Sequence, residues 1–423
     1  MTLTPKDVFL IFYIGANMHP KDKLLIPMLI MLVILPMIAT DIYLPVLPAM
    51  GEHLGAAGSS LADSLASYML GYSLSLLLAG VLADIYGRRI ISIIGISIFS
   101  IASVGCFFAS SIEQLVVWRF FQAFGGGSGT LIARIIVRDV YDEQSQVKVL
   151  SYLATGLVIS PIFGPIIGAF ISNYYGWRSI FFILTFISLF ILITLCQFMG
   201  ETLASNSRKK GLQLDWVFSR WLALWGHREF AFNTLVISFA WAIYFSFISS
   251  SPILIQNLHK ADPIEYGYLF AITISGFIFG AIFIRRKIAT CNLKSLIAIS
   301  GAITLIATLI LYILVLAEVG ALPVKLFFVF CTLFGIGVIF PATQAGVTRP
   351  FQDDIGLISG IFYSTEMFFG AVCGYMLSMI GVAGWEMTSL IMLIAAACIV
   401  SLSGLDRLYG ANRINGTLKI RLK

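Results

Sequence analysis

The chain has 423 residues, of which 59% are hydrophobic and 11% are charged, and its formal net charge is +6. A soluble domain carries roughly a quarter charged residues, so this composition excludes a soluble globular protein. Apolar runs of about 20 residues, the length needed to cross a hydrocarbon core, recur along the whole chain. The sequence therefore predicts an all-α, polytopic membrane protein.

Twelve apolar runs predict the spanning helices α1 to α12, arranged as two bundles of six. In chain order they lie near Leu24–Leu47, Leu61–Leu82, Ile90–Ser110, Leu115–Val137, Val149–Ile171, Trp177–Met199, Glu229–Ile255, Tyr266–Ile284, Ser295–Leu316, Pro323–Val347, Ile355–Ile380 and Ala383–Leu402. The predicted divisions are an N-terminal cytoplasmic segment, a first bundle, a cytoplasmic linker, a second bundle and a basic cytoplasmic tail, at residues 1–23, 24–199, 200–228, 229–402 and 403–423. Two such halves facing a central cavity are typical of alternating access.

Basic residues concentrate in alternate connections. One set of connections and the tail holds most of them, whereas the intervening connections hold only Arg178, Lys260 and Lys325. This asymmetry predicts that both termini and the linker are cytoplasmic, and it explains the net charge without a nucleic-acid partner. The apolar run Val8–Met18 is too short to span a membrane, and no signal-peptide cleavage site follows it.

The chemistry-bearing residues argue against an enzyme. The six cysteines are scattered and form no C-x-x-C pair, so they predict neither a disulfide framework nor a metal centre. The four histidines lie near predicted membrane edges or in loops, and no G-x-S-x-G motif is present. We therefore expect no cofactor.

The stretch "GVLADIYGRR" joins α2 and α3. Asp84 and the two arginines that follow it are suited to a charge-assisted cluster at the membrane edge, which Asp139 at the end of α4 completes. The alternative is a solvated basic loop that serves topology only. The stretch resembles the signature G-x-L-a-D-r-x-G-r-[KR] of the major facilitator superfamily, at Gly80, Leu82, Asp84, Gly87, Arg88 and Arg89. The resemblance implies a gating latch formed by these residues.

Two further helices resemble the same superfamily. In α4, Arg119 and Gln122 match the pattern R-x-x-q-G, although Ala123 replaces the glycine. In α5, "GLVISPIFGPIIGAF" is similar to the G-x-x-x-G-P-x-x-G-G pattern of proton-antiport branches, with agreement at Gly164, Pro165 and Gly168 and departures at Ser160 and Ala169. The resemblance implies export by antiport. Helix packing alone remains the alternative for both patterns.

The stretch "LPMIATDIYLPVLP" in α1 contains one carboxylate, Asp41. Asp41 lies roughly 25 Å along α1 and at a depth similar to that of Arg119 in α4. "TDIYLPVLP" resembles the helix 1 signature of Bcr/CflA drug:proton antiporters. That resemblance implies that Asp41 and Arg119 couple transport to protons as a switchable charged pair. A static pair that holds the fold is the alternative.

Glu366 in α11, with Tyr363 on the same helix face, is a second acid near the midplane. It is suited to binding a cationic substrate, to carrying a proton or to hydrogen bonding within the fold, and these alternatives stay open. The cavity is predicted between α1, α2, α4 and α5 and α7, α8, α10 and α11. The candidate substrate contacts are Met37, Tyr68, Tyr72, Trp241, Tyr244 and Glu366.

The sequence thus predicts a monomeric, proton-coupled antiporter of the cell inner membrane. Its partners are small amphipathic substrates, protons and the lipid bilayer. The alternatives are a dedicated metabolite or siderophore transporter of the same fold and a non-transporting membrane sensor.

Overall fold

The structure is a computed structural model, and it confirms the all-α membrane fold. Every regular element among the residues that it describes is helical. The described residues are 22–55, 58–203, 208, 214–285, 292–348, 355–379 and 384–421. Most of the predicted N-terminal segment 1–23 and much of the linker lie outside these ranges.

Twelve described helices are long and apolar enough to cross a membrane. Their bounds are α1 Asp22–Asp41, α2 Gly58–Tyr86, α3 Arg88–Phe108, α4 Ile112–Val140, α5 Glu143–Tyr175, α6 Arg178–Phe198, α7 Arg228–Pro252, α8 Pro263–Arg285, α9 Leu293–Leu316, α10 Leu322–Thr348, α11 Ile355–Met379 and α12 Trp385–Arg421. A further helix, Leu214–Gly226, lies within the predicted linker. α12 continues to Arg421 instead of ending at Leu402, because no proline follows Trp385 to stop it.

The first span is interrupted directly after Asp41. The α-helix ends there, a 3₁₀ turn covers Leu44–Val46, and a short helix, Leu47–Leu54, completes the crossing. Pro45 has no N–H to donate to the Asp41 carbonyl, so the α-helical ladder stops at this point. The sequence predicted one helix from Leu24 to Leu47, and the structure differs by this break.

The packing of the first six helices repeats in the second six. α4 packs against α2 and α3, and α3 packs against α6; in the same way α10 packs against α8 and α9, and α9 against α12. The two halves meet where α2 packs on α11 and α5 packs on α8. We call the side on which α6 ends at Phe198 and α7 begins at Arg228 the linker side, and the other the opposite side.

Glycine allows α3 and α4 to approach closely. A Cβ atom placed at Gly125 in α4 would overlap the Gly95 carbonyl oxygen and the Phe99 backbone of α3. Backbone atoms cannot move aside as a flexible side chain would. Gly125 therefore forms part of a surface of α4 on which α3 packs closely.

Gly125→Val should consequently force α3 and α4 apart. We expect a loss of roughly 1–3 kcal/mol of stability, which is the usual cost of overpacking. The measurement is the apparent unfolding temperature of the detergent-purified protein, followed by tryptophan fluorescence. Gly404→Val is the matched control, since Gly404 lies in α12 with no atom within 4 Å of a built Cβ. Equal effects at both positions would contradict the packing argument.

Candidate functional site

A chamber of about 290 Å³ lies between the two halves. Its lining comes from α1, α2, α4 and α5 of the first half and from α7, α8, α10 and α11 of the second half. Among the predicted substrate contacts, the lining includes Met37, Tyr72, Trp241, Tyr244 and Glu366. The walls are largely aromatic and aliphatic, which suits an amphipathic ligand of variable shape.

Tyr68 does not line the chamber, so its assignment as a substrate contact is not supported by the geometry. Its side chain is 1% exposed, and its hydroxyl donates to the Pro36 carbonyl at 2.7 Å. Its ring lies 4.0 Å from the Arg119 guanidinium carbon. Tyr68 is one helical turn from Tyr72 but is turned toward α1 and α4, where it covers a buried cation.

The chamber is closed on the opposite side. There Gln256 donates to the Pro45 carbonyl at 3.1 Å, and Gly374 of α11 lies against Ala66 of α2. Toward the linker side, the lining residues Arg134 and Gln344 are only half-buried. The chamber therefore opens toward the linker side in this conformation.

Asp41 is a lining residue held by α5. Its side chain is 6% exposed, and the Ser160 hydroxyl donates to its Oδ2 atom at 2.5 Å. Gly164 and Gly168 give α5 its close approach, because a Cβ at Gly164 would lie 2.7 Å from the Asp41 Cβ and one at Gly168 would overlap the Ile42 carbonyl. Ser160, where the sequence departs from the α5 motif, supplies the hydrogen bond that sequence reasoning missed.

Arg119 is fully buried but does not form the expected ion pair with Asp41. Its Nη1 atom donates to the Ala39 carbonyl at 3.0 Å and to Gln122 Oε1 at 2.7 Å. The guanidinium carbon lies 4.4 Å and 4.0 Å from the ring centres of Tyr43 and Tyr68, distances at which a cation is stabilised by aromatic faces. The Nε and Nη2 atoms have no hydrogen-bond partner in the described part of the chain. Rings and a carbonyl thus take the place of the expected carboxylate.

Glu366 faces the same chamber from α11. Its side chain is 2% exposed, and its Oε2 atom is buried without a hydrogen-bond partner among the described residues. Tyr363, one turn away, also lines the chamber and lies under the guanidinium of Arg134, 4.3 Å from the ring centre. Sequence reasoning identified Glu366 and Tyr363 but not Arg134.

The latch residues meet at the linker-side ends of α2, α3 and α4. Arg88 donates to Asp84 at 2.7 Å and to Asp139 at 3.1 Å. Gly87 has a φ of 105°, which favours glycine at this turn. Arg89 instead donates to the Cys196 carbonyl of α6 at 2.7 Å. Gly80 contributes packing, since a Cβ there would lie 3.4 Å from the Leu131 side chain.

Glu201 joins this cluster although sequence reasoning did not include it. Its Oε1 atom accepts from the Arg88 backbone N–H at 2.9 Å and from that of Leu203 at 3.0 Å. Burial alone would raise the pKa of the Glu201 carboxyl, but backbone N–H groups and the Arg208 guanidinium outweigh burial and hold the pKa below its usual value. The sequence feature that could have identified Glu201 is its position directly after α6, on the side of the membrane that is rich in arginine.

The second half carries its own ion cluster at the linker side. Lys294 at the start of α9 contacts Glu229 of α7 at 2.6 Å and Asp406 of α12 at 3.1 Å, and Arg228 contacts Asp406 at 2.8 Å. By the repeated packing, α9 and α12 correspond to α3 and α6. In the second half Ile284 stands near the end of α8 where the first half has an acid at the end of α2, and this cluster draws its acids from α7 and α12 instead.

The chain is similar to a known protein family, to individual known proteins and to solved structures. The family model described as "Major Facilitator Superfamily" matches residues 29–375. The chain is 26% identical to Multidrug resistance protein D of Escherichia coli strain K12, over 89% of this chain and 94% of that protein. It is 22% identical to a Bicyclomycin resistance protein homolog of Haemophilus influenzae, over 91% and 95%. The crystal structure of a D-xylose-proton symporter superposes with a TM-score of 0.71 at 15% identity, over 88% and 96%.

The geometry of Glu201 predicts a dependence of stability on acid pH. A carboxyl whose pKa is lowered by folding stabilises the protein above its unfolded pKa, about 4.3, and this contribution is lost as the pH falls through the folded value. Glu201→Gln should therefore lower the apparent unfolding temperature at pH 7 by about 2 °C. The difference from the wild type should shrink as the pH falls below about 4.

The control is Glu52→Gln, which changes an exposed acid outside this cluster. Unfolding is followed in detergent from pH 7 down to about 3.5, a range that spans the ordinary glutamate pKa. A Glu201→Gln deficit of the same size at both ends of the range would assign the loss to packing.

Proposed function

The chain belongs to the Major Facilitator Superfamily, and from this we propose that it is a proton-driven antiporter that exports amphipathic small molecules. It is a multi-pass transporter of the inner membrane and not an enzyme. The observation that carries the proposal is Asp41, a carboxyl that lines the central chamber and is held by a hydroxyl of the α5 motif.

Asp41 is the proposed proton carrier. A carboxylate at membrane depth is costly unless it is paired or hydrated, whereas a protonated carboxyl is tolerated. In the conformation open to the linker side, the Asp41 carboxyl accepts from the Ser160 hydroxyl and borders the chamber. Arg119 lies apart from it, against two tyrosine rings. Asp41 and Arg119 lie in the same half, so their separation changes only if the first span moves locally at its break beside Pro45 as the halves rock. Such a movement shifts the balance between the charged and the neutral form of Asp41.

The direction of transport follows from the orientation. Arg88, Arg89, Arg208, Arg228 and Lys294 are on the linker side, which supports a cytoplasmic location of the linker, the tail and both termini. The chamber then loads substrate from the cytoplasm. Opening to the opposite side, where proton activity is higher, protonates Asp41 and releases the substrate.

The substrate class rests on the chamber and on the relatives. The relatives are named for resistance to multiple drugs and to bicyclomycin. Walls formed by Met37, Tyr72, Trp241 and Tyr244 offer dispersive contacts, which tolerate changes of ligand shape. A monomer is sufficient for this cycle, because the chamber is complete within one chain.

The proposed role of the latch is to move the linker-side ends of α2, α3 and α4 as one body. The contacts described above lie within the first half: Arg88 holds Asp84 and Asp139, and Glu201 ties the end of α6 to the same arginine. The ion cluster of Arg228, Glu229, Lys294 and Asp406 does the same for the second half. Rigid ends convert a local change at the chamber into rocking of the halves.

The orientation is tested by placing single cysteines in a background without the six native ones. Gly200→Cys follows α6, where a Cβ meets no atom within 4 Å, and Val319→Cys lies in the α9–α10 connection, where the residue is 56% exposed. In intact cells a membrane-impermeant maleimide should label Val319→Cys and not Gly200→Cys. Permeabilised cells provide the control for reactivity of both. The reverse labelling order would refute export in the proposed direction.

Proton coupling is tested with Asp41→Asn in proteoliposomes that have an acidic lumen. We expect uptake of ethidium driven by the pH gradient to fall at least about ten-fold, a loss of about 1.4 kcal/mol or more in driving the cycle. Ethidium binding in detergent should persist with reduced affinity and should lose much of its pH dependence, because the amide keeps the size of the side chain but carries neither the negative charge nor the proton of Asp41.

Asp63→Asn is the matched control, since Asp63 lies in α2 and does not line the chamber. It should retain uptake driven by the gradient. If Asp41→Asn also retains it, the proton site lies elsewhere, and Glu366 becomes the leading candidate.

A further inference from the structure

Arg134 is a cation in the chamber that the proton cycle does not use. It lies in α4, lines the chamber and is half-buried. Its guanidinium rests over the Tyr363 ring at 4.3 Å, and it makes no ion pair or hydrogen bond with a residue that the structure describes. Its N–H donors are therefore not filled by the described residues, and the residue borders the chamber.

This arrangement differs from that of two other arginines described above. Arg88 donates to two carboxylates, and the fully enclosed Arg119 donates to a carbonyl and an amide, whereas Arg134 lines the chamber and donates to no described residue. The ring under Arg134 stabilises its positive charge but accepts none of its in-plane N–H groups. A planar guanidinium held in this way is suited to a carboxylate, which it binds through two parallel hydrogen bonds.

Glu366 supplies a complementary group in the same chamber. Its buried Oε2 atom has no hydrogen-bond partner in the described residues, and it forms no ion pair with Arg134. Arg134 lies roughly 9 Å from the linker-side end of α4, and Glu366 lies roughly 16 Å from the corresponding end of α11. The donors of Arg134 therefore lie near the linker-side mouth of the chamber, and the acceptor atom of Glu366 lies deeper in it.

We propose that Arg134 is an anion-binding subsite, and that the preferred substrates are amphipathic zwitterions. The substrate carboxylate binds Arg134, its apolar body lies against Trp241 and Tyr244, and its cationic group faces Glu366. This inference rests on the proposed function in one respect: the chamber is the transport site. It adds that the ligand carries an acidic group and enters with its cationic end first.

Rhodamine 110 and rhodamine 123 test the subsite directly. Rhodamine 123 is the methyl ester of rhodamine 110, so the two dyes share the cationic ring system and differ in the free carboxylate. Binding to the purified full-length protein in detergent is followed by dye fluorescence anisotropy at pH 7. We expect the wild type to bind rhodamine 110 about ten-fold more tightly than its ester, which corresponds to about 1.4 kcal/mol.

Arg134→Met should abolish this preference while the affinity for rhodamine 123 is kept or increased. Arg134→Lys should retain part of the preference, because it keeps the charge but not the planar pair of donors. Arg138→Met, one turn further along α4 and outside the chamber lining, is the matched control and should retain the wild-type ratio. Glu366→Gln should weaken both dyes, since both carry the cation.

Two results would overturn the subsite. One is a wild-type ratio in Arg134→Met; the other is an equal loss of both dyes in that variant, which would make Arg134 a structural residue. Retained binding of rhodamine 123 shows that the chamber of the variant is folded. Because binding needs no gradient, a protein that shows the preference but accumulates neither dye in proteoliposomes would refute the antiport and leave the subsite standing.

Discussion

A charged side chain inside a membrane must find a partner or water, and four residues of this protein meet that requirement in different ways. Asp41 accepts a hydroxyl and borders the chamber, whereas Arg119 is enclosed by two rings, a carbonyl and an amide. Arg134 and Glu366 are placed at the chamber with donor or acceptor atoms unfilled. The enclosed cation is shielded from the chamber, whereas the groups at the chamber are placed where a ligand or a proton can reach them.

The interruption of the first span is linked to the placement of the Asp41 carboxyl. Pro45 ends the α-helix at Asp41, and Gly164 and Gly168 bring α5 against the backbone of this turn. The Pro45 carbonyl then accepts from Gln256 across the closed opposite side. One turn of chain therefore carries the proposed proton site, the motif contact and a contact between the halves. Because the three contacts share one turn of chain, a displacement at one of them displaces the other two.

The sequence was sufficient for the twelve spans and for the eight helices that line the chamber, because hydropathy and the 1.5 Å rise per residue determine which residues lie at which depth. It was not sufficient to predict which side chains contact one another. Asp41 and Arg119 do lie on neighbouring helices, but the expected ion pair is absent, since the rotation of each helix and the rotamer of Arg119 depend on tertiary packing. Tyr68 was misplaced for the same reason: one turn from Tyr72, it covers Arg119 instead of the chamber. Glu201 joins the latch from a distant part of the chain, and no local pattern could assign it there.

The order of charges along the chamber also bears on the proposal that one small site is used by both proton and substrate. Arg134 lies nearest the mouth, Glu366 lies deeper, and Asp41 borders the closed end near Pro45. In a chamber of about 290 Å³, a ligand anchored at Arg134 has its cationic end at Glu366 and lies in the electric field of Asp41 deeper in the same chamber. Protonation of Asp41 removes one of the two negative charges that hold this end, so it weakens binding without any contact between proton and ligand. The proton and the cationic end then compete through charge, and such competition is the thermodynamic requirement for exchanging one for the other.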